Sequence, residues 1–255
     1  MLLRNQVRPY EKEKGACKKL TKKWTKRLNN QISHNKGITR SSIARNFRAI
    51  ADDFNHIPIT KKNKPKVGIV GELYVKYADF GNNHLQDYLV EQGAEIMVPG
   101  ILGFALYSLN IGMENYRLYG DKKGVMFSRI AVKYVEMLEK TMLSVLKQYP
   151  NFEKPISFQE LKKLGEHTIS RGVCMGEGWL LTAEMAELIE KGYKNIVCVQ
   201  PFGCLPNHIA GKGMIRSLNE QYKEANICAI DYDAGATRVN QENRIKLMLA
   251  LARES

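Results

Sequence analysis

A cysteine between two prolines is the place in this sequence best suited to chemistry. Residues 199–213 read VQPFGCLPNHIAGKG, with Cys204 beside Gly203, flanked by Pro201 and Pro206, and four residues ahead of His208. A strand-like run, NIVCV, precedes the stretch and a helix-like run, GMIRSLNEQY, follows from within it. The thiol therefore belongs to a stiff turn at the end of a strand. Three readings are open: a metal or cluster ligand, a nucleophile, or a small residue in a tight loop. A nucleophile would need His208 as its base, and a spacing of four on a turn does not establish that contact.

A cluster ligand fits the composition of the loop better. Thiolates hold iron–sulfur clusters, and surrounding glycines and prolines fix the backbone so that amides can aim at sulfur. One thiol is not enough. Of the five cysteines, Cys174 in SRGVCMGEGW is the only other one in a glycine-rich loop, which makes it the second candidate ligand, with a small buried residue as its alternative. Gly203 and Pro206 around Cys204, Gly176 beside Cys174, and Gly71 and Glu72 at the end of the first strand-like run are the candidate cofactor-binding positions. Asp231, Asp233 and Glu177 could meet a metal, although acidic residues at strand ends also cap helices and order loops. Trp179 and Phe202 are expected in the core, and His208 at a helix start, bonded to backbone. Cys198 and Cys228, inside NIVCV and NICAI, read as small core residues, and Cys17 in a lysine-rich helix as incidental.

Other chemistries lack their signatures. There is no C-x-x-C for a zinc ribbon or thioredoxin-like site and no G-x-S-x-G elbow. Gly68 and Gly71 do not make a dinucleotide fingerprint, and GKG at 211–213 has neither the spacing nor the Ser/Thr of a P-loop.

These residues need a scaffold. KVGIVGELYV reads as a buried strand entering a turn, HLQDYLVEQG as an amphipathic helix closed by glycine, and AEIMVP as a second strand. Helices follow at about 126–148 and 158–165, then GEGWLLTAEMAELIEKG as a helix feeding NIVCV, then the strand NICAIDYD and a last helix over 240–253. This alternation predicts an α/β fold, a Rossmann-like parallel sheet with helices on both faces. Four loops leave the carboxyl ends of its strands: residues 71–83, the loop after Val98, 200–208 and 231–241. They should converge on one rim, where such sheets bind ligands.

Ahead of the sheet lies a basic helical arm. Residues 1–66 hold 18 Lys/Arg against 4 Asp/Glu, and the remainder 21 against 22. Periodicity predicts helices over 10–32 and 41–55, and NHIPITKKNKPK reads as a linker, so the arm is placed at 1–65 and the α/β domain at 66–255. Lysines with few interleaved aromatics and no recognisable finger or helix-turn-helix spacing argue against nucleic acid as partner; the arm suits packing on a larger body or docking of an acidic or phosphorylated partner. The most apolar run, IMVPGILGFALYSLNIGM, is interrupted by Pro99, Gly100, Gly103 and Asn110, and no signal peptide is evident at the start. A cytoplasmic protein without a membrane span is expected.

Taken together, KVGIVGELYVKYADFGNN, GEGWLLTAEMAELIEKG, NIVCVQPFGCLPNHIAGKGMIRSLN and ANICAIDYDAGATRVNQENRIKLML resemble the C-terminal region of acyl-CoA dehydratase activase-related proteins, relatives of 2-hydroxyacyl-CoA dehydratase subunits and double-cubane cluster proteins. The resemblance runs from about Lys66 to Leu251 and implies Rossmann-like lobes around an iron–sulfur cluster of the 4Fe-4S kind, in a cytoplasmic system of anaerobes. Cys204 is the position that matches a cluster-ligand cysteine. The resemblance also implies partners: an ATPase activase component and a first α/β lobe carrying further ligands, both lacking in this chain, with an acyl-CoA as substrate and homo- or hetero-oligomers as the assembled form. The alternative is an interaction fragment that docks on the rest of such a complex without a cluster of its own.

Overall fold

The protein is described by a computed structural model covering residues 1–60, 62–233 and 235–254; Lys61 of the linker and Ala234 of the last strand-end loop lie outside the described residues. Four strands, β1 (Lys66–Gly71), β2 (Glu95–Met97), β3 (Asn195–Gln200) and β4 (Asn226–Asp231), form one parallel sheet in the order β2-β1-β3-β4. The runs KVGIVG and NIVCVQ are buried at all but their first residue, as central strands covered on both faces must be. Pairing puts Gly71 opposite Val199 and Gln200 opposite Asp231, so β1, β3 and β4 end together.

The arm contributes α1 (Leu2–Val7), α2 (Ala16–Ser33) and α3 (Arg40–Asn55). Then come α4 (Leu73–Tyr77), α5 (Leu85–Glu91), α6 (Ile101–Tyr119), α7 (Val125–Leu146), α8 (Phe158–Glu166), α9 (Trp179–Glu190), α10 (Ile215–Gln221) and α11 (Arg238–Glu254). One sheet face buries Val67, Ile69, Val197 and Val199 against Leu89 of α5 and Ile245 and Met248 of α11. The opposite face buries Val70, Ile196 and Cys198 against Met185 and Leu188 of α9 and Leu218 of α10. Helices thus cover both faces, as the alternating pattern predicts. Cys198 is fully buried and Cys228 half-buried against the core.

Three departures from the sequence reading have local causes. The helix expected from residue 10 is α2, which begins at Ala16 because the Glu11 carboxylate accepts hydrogen bonds from the N–H groups of Gly15 (2.7 Å) and Cys17 (2.8 Å) and closes its start. Cys17 is not incidental: it is fully buried with Leu3, Val7, Ala51 and Phe54 against Val145, Leu146 and Tyr149 beyond and at the end of α7. Residues 101–119, which the interrupted run left without an element, form α6. Gly100 stands at its N-cap, Gly103 sits where nothing lies within 4 Å of a would-be Cβ, and Asn110 donates to Glu114 one turn on. Helix-breaking residues cost little in a first turn, where the N–H groups have no partner in any case. Among the described residues no helix is long and apolar enough to cross a membrane.

Candidate functional site at the sheet switch point

From β1 the chain steps outward to β2, then returns to the other side of β1 for β3 and β4. The carboxyl ends of β1 and β3 are therefore the switch point, where an open α/β sheet leaves a crevice. Gly71 and the Cys204 loop both leave from it. Gly71 has φ +136°, and a Cβ there would stand 1.9 Å from the Val199 carbonyl oxygen. Only glycine lets β1 turn off this close to β3. Glu72 next to it caps α4, accepting from the N–H groups of Tyr74 (3.1 Å) and Val75 (2.8 Å), so its carboxylate orders the loop.

The Cys204 loop folds on itself. Cys204 N–H donates to the Pro201 carbonyl at 3.3 Å, Gly203 takes φ +74°, and the chain continues through a wide helical turn over Asn207–Gly211. His208 approaches the Cys204 carbonyl with its backbone N–H and with Nδ1, both at 2.9 Å, the backbone-bonded role expected of it. Its Nε2 lies 3.9 Å from Asp231 Oδ1, and that carboxylate accepts 2.7 Å from Gln200 Nε2. Cys204 is half-buried, and its sulfur accepts from Asn207 Nδ2 at 3.3 Å.

The Cys174 loop joins this rim through one buried carboxylate. Glu177 Oε1 accepts from the Leu73 N–H at 2.9 Å and Oε2 from Asn207 Nδ2 at 3.0 Å. A single side chain thereby ties together the loops after β1 and β3 and the loop before α9. Gly176 completes the joint: at φ +55°, its would-be Cβ lies 2.9 Å from the Pro206 ring. Sequence spacing offers no signal for the Glu177–Asn207 link, whose members lie 30 residues apart.

Cys174 is placed differently. Its thiol donates to the Arg171 carbonyl at 2.8 Å and packs on the cluster of Tyr107, Phe158 and Trp179, and burial pushes it up from its ordinary pKa. The expectation that Trp179 is core holds, with the residue 1% exposed, while Asp233 accepts from the Ala236 N–H within its own loop. Phe202 does not belong to the core. It is 74% exposed, because the turn that orients Cys204 carries its neighbour outward. Leu205, Ile209, Met175, Tyr74 and Phe80 on the same three loops are exposed as well.

Comparisons with protein-family models, curated proteins and solved structures return no match. The donor set is the remaining test of an iron–sulfur cluster. Among the described residues no three or more His, Cys, Asp or Glu side chains are grouped to hold a metal ion. The chain by itself does not fit a complete cluster. Of the two candidate ligands, Cys204 is the one whose sulfur lies on a loop leaving the switch point.

Proposed function

We propose that this chain is a Rossmann-like lobe of a low-potential electron-transfer assembly of the acyl-CoA dehydratase or activase kind, in which Cys204 supplies one thiolate to an iron–sulfur cluster completed by another lobe or chain. One observation carries the reading. Cys204, half-buried at the switch point, is held by loops locked through Glu177, with the Asn207 amide on its sulfur and exposed apolar side chains around it on the same loops. A cluster, when bound, supplies one-electron chemistry, and its protein surroundings tune it through hydrogen bonds to sulfur and exclusion of water. Here Asn207 donates to the sulfur, Glu177 orients Asn207, and Phe202 and Leu205 are apolar surface that a second lobe would cover. An acyl-CoA substrate and an ATPase component belong to the assembly under this reading, and its setting is the cytoplasm.

A second reading, a docking lobe with no cluster of its own, rests on the same exposed apolar side chains, which suit an interface with or without a metal. The two part on iron. Protein isolated without oxygen from its native cells, with whatever accompanies it, is assayed for iron, sulfide and visible charge-transfer absorption beside a Cys204→Ser variant of unchanged far-ultraviolet circular dichroism. Loss of iron and colour in the variant is the expected result. Full iron in both overturns the ligand role, and iron in neither assembly leaves the docking lobe.

A further inference from the structure

A second site lies on the arm, away from the switch point. A cavity of about 760 Å³ opens between α2 and α5 with the loop that leads into it. Lys18, Lys22 and Lys26 line it at intervals of four, and Thr21, Thr25 and Asn29 fill the intervening positions of the same helical face. At 1.5 Å per residue the three lysines run along about 12 Å of helix. Arg4 and Arg8 line the cavity from α1 and the turn after it.

The charges are unbalanced. Asp79 and Asp87 are the carboxylates of the lining, against five cations. Arg8 is met by Asp87 at 2.6 Å. Arg4 is held by amide oxygens instead, Gln86 Oε1 at 3.0 Å and Asn5 Oδ1 at 3.2 Å, and burial, with Arg8 nearby, lowers its pKa. Among the described residues no carboxylate lies within ion-pair distance of Lys18, Lys22 or Lys26; the neighbouring Lys19 and Lys23, which point elsewhere, have theirs in Glu13 and Asp53. Like charges gathered around a concave surface repel one another, and the surface concentrates an anion. Hydroxyl and amide groups interleaved with the ammonium groups add short donors that a multiply charged oxyanion can use.

We propose that this cavity binds a small molecule carrying two or more phosphoryl groups. A diphosphate or longer chain of phosphates can engage Lys18, Lys22 and Lys26 at once while Arg4 closes on it from the opposite wall. A single phosphate reaches only part of the lysine row, and a long polyanion would gain little from the concave wall.

Calorimetric titration of the full chain with inorganic tripolyphosphate at physiological salt tests this. Saturable one-to-one binding is expected, at least about tenfold tighter than for inorganic phosphate. Lys22→Glu and Lys18→Glu, both on exposed positions that leave folding intact, should each weaken it by about tenfold or more, and Lys246→Glu on α11 should not change it. Vesicles of an anionic phospholipid, a single-stranded RNA and an acidic peptide serve as competitors. Weaker competition by all three at equal charge supports a small polyphosphate. Non-saturating binding, equal loss in Lys246→Glu, or stronger competition by any of the three overturns the assignment.

Discussion

Glu177 and Glu139 are both buried carboxylates, and the groups around them give them different behaviour. Glu177 has both oxygens occupied by donors from other loops, so it acts as a fastener at the rim. Glu139, 7% exposed, lines a mainly apolar cavity of about 260 Å³ between α6, α7, α8 and α9 and receives one backbone bond, from Phe158 N–H at 2.9 Å. Burial pushes its pKa up to about 7, with Glu136 and Glu160 adding to the effect. A carboxyl raised on folding holds its proton in the native state where the unfolded chain has lost it, so stability falls as pH rises from about 4.5 to about 7. Glu139→Gln keeps the acceptor for Phe158 and removes the titration. Urea unfolding across that range should show the wild type losing stability toward pH 7 relative to the variant. Parallel curves for the two proteins would refute the assignment.

At the scale of elements, the loop after β1 is anchored by α4, a helix of five residues that could not hold itself. Lys76 of α4 and Glu184 of α9 form an ion pair at 3.0 Å, each side chain 2% exposed, and the ammonium also lies over the Tyr77 ring. Burial raises the Glu184 pKa, and Lys76 opposes that shift. Removing one partner leaves a charge in the core, at a cost of about 3–5 kcal/mol, whereas replacing both with apolar residues of similar size is close to neutral. Lys76→Met should therefore lower the urea midpoint sharply, and Lys76→Met with Glu184→Leu should recover most of the loss. An additive double mutant would show that the pair does not act as a unit. Sequence periodicity could not find this anchor, because an isolated lysine in LYVKY looks like surface until α9 is laid across it.

For the whole molecule, the arm and the sheet share structure. Phe54 and Ala51 of α3 and Val7 of α1 pack on Val145, Leu146 and Tyr149, while Tyr10 donates to Glu95 of β2 at 2.6 Å and Arg8 pairs with Asp87 of α5. Phe54→Ala should cost about 3–5 kcal/mol. If the shared core couples the parts, calorimetric unfolding of that variant remains a single transition at lower temperature. A separate low-temperature transition of the arm would mean that the two parts unfold independently.

Patterns that repeat along the chain were readable from residue order alone: alternating buried strands and amphipathic helices, a basic first quarter, and a cysteine in a proline-bounded turn at a strand end. Each depends on neighbours within one or two turns, where backbone geometry decides which side chains share a face. Tertiary structure alone decided that Cys174 turns toward Tyr107 and Trp179, that Phe202 is exposed, that Glu177 joins three loops, and that Arg4 faces the lysines of α2. Those outcomes depend on contacts between residues distant in sequence, and burial and charge pairing there are set by what the folded chain brings opposite each group.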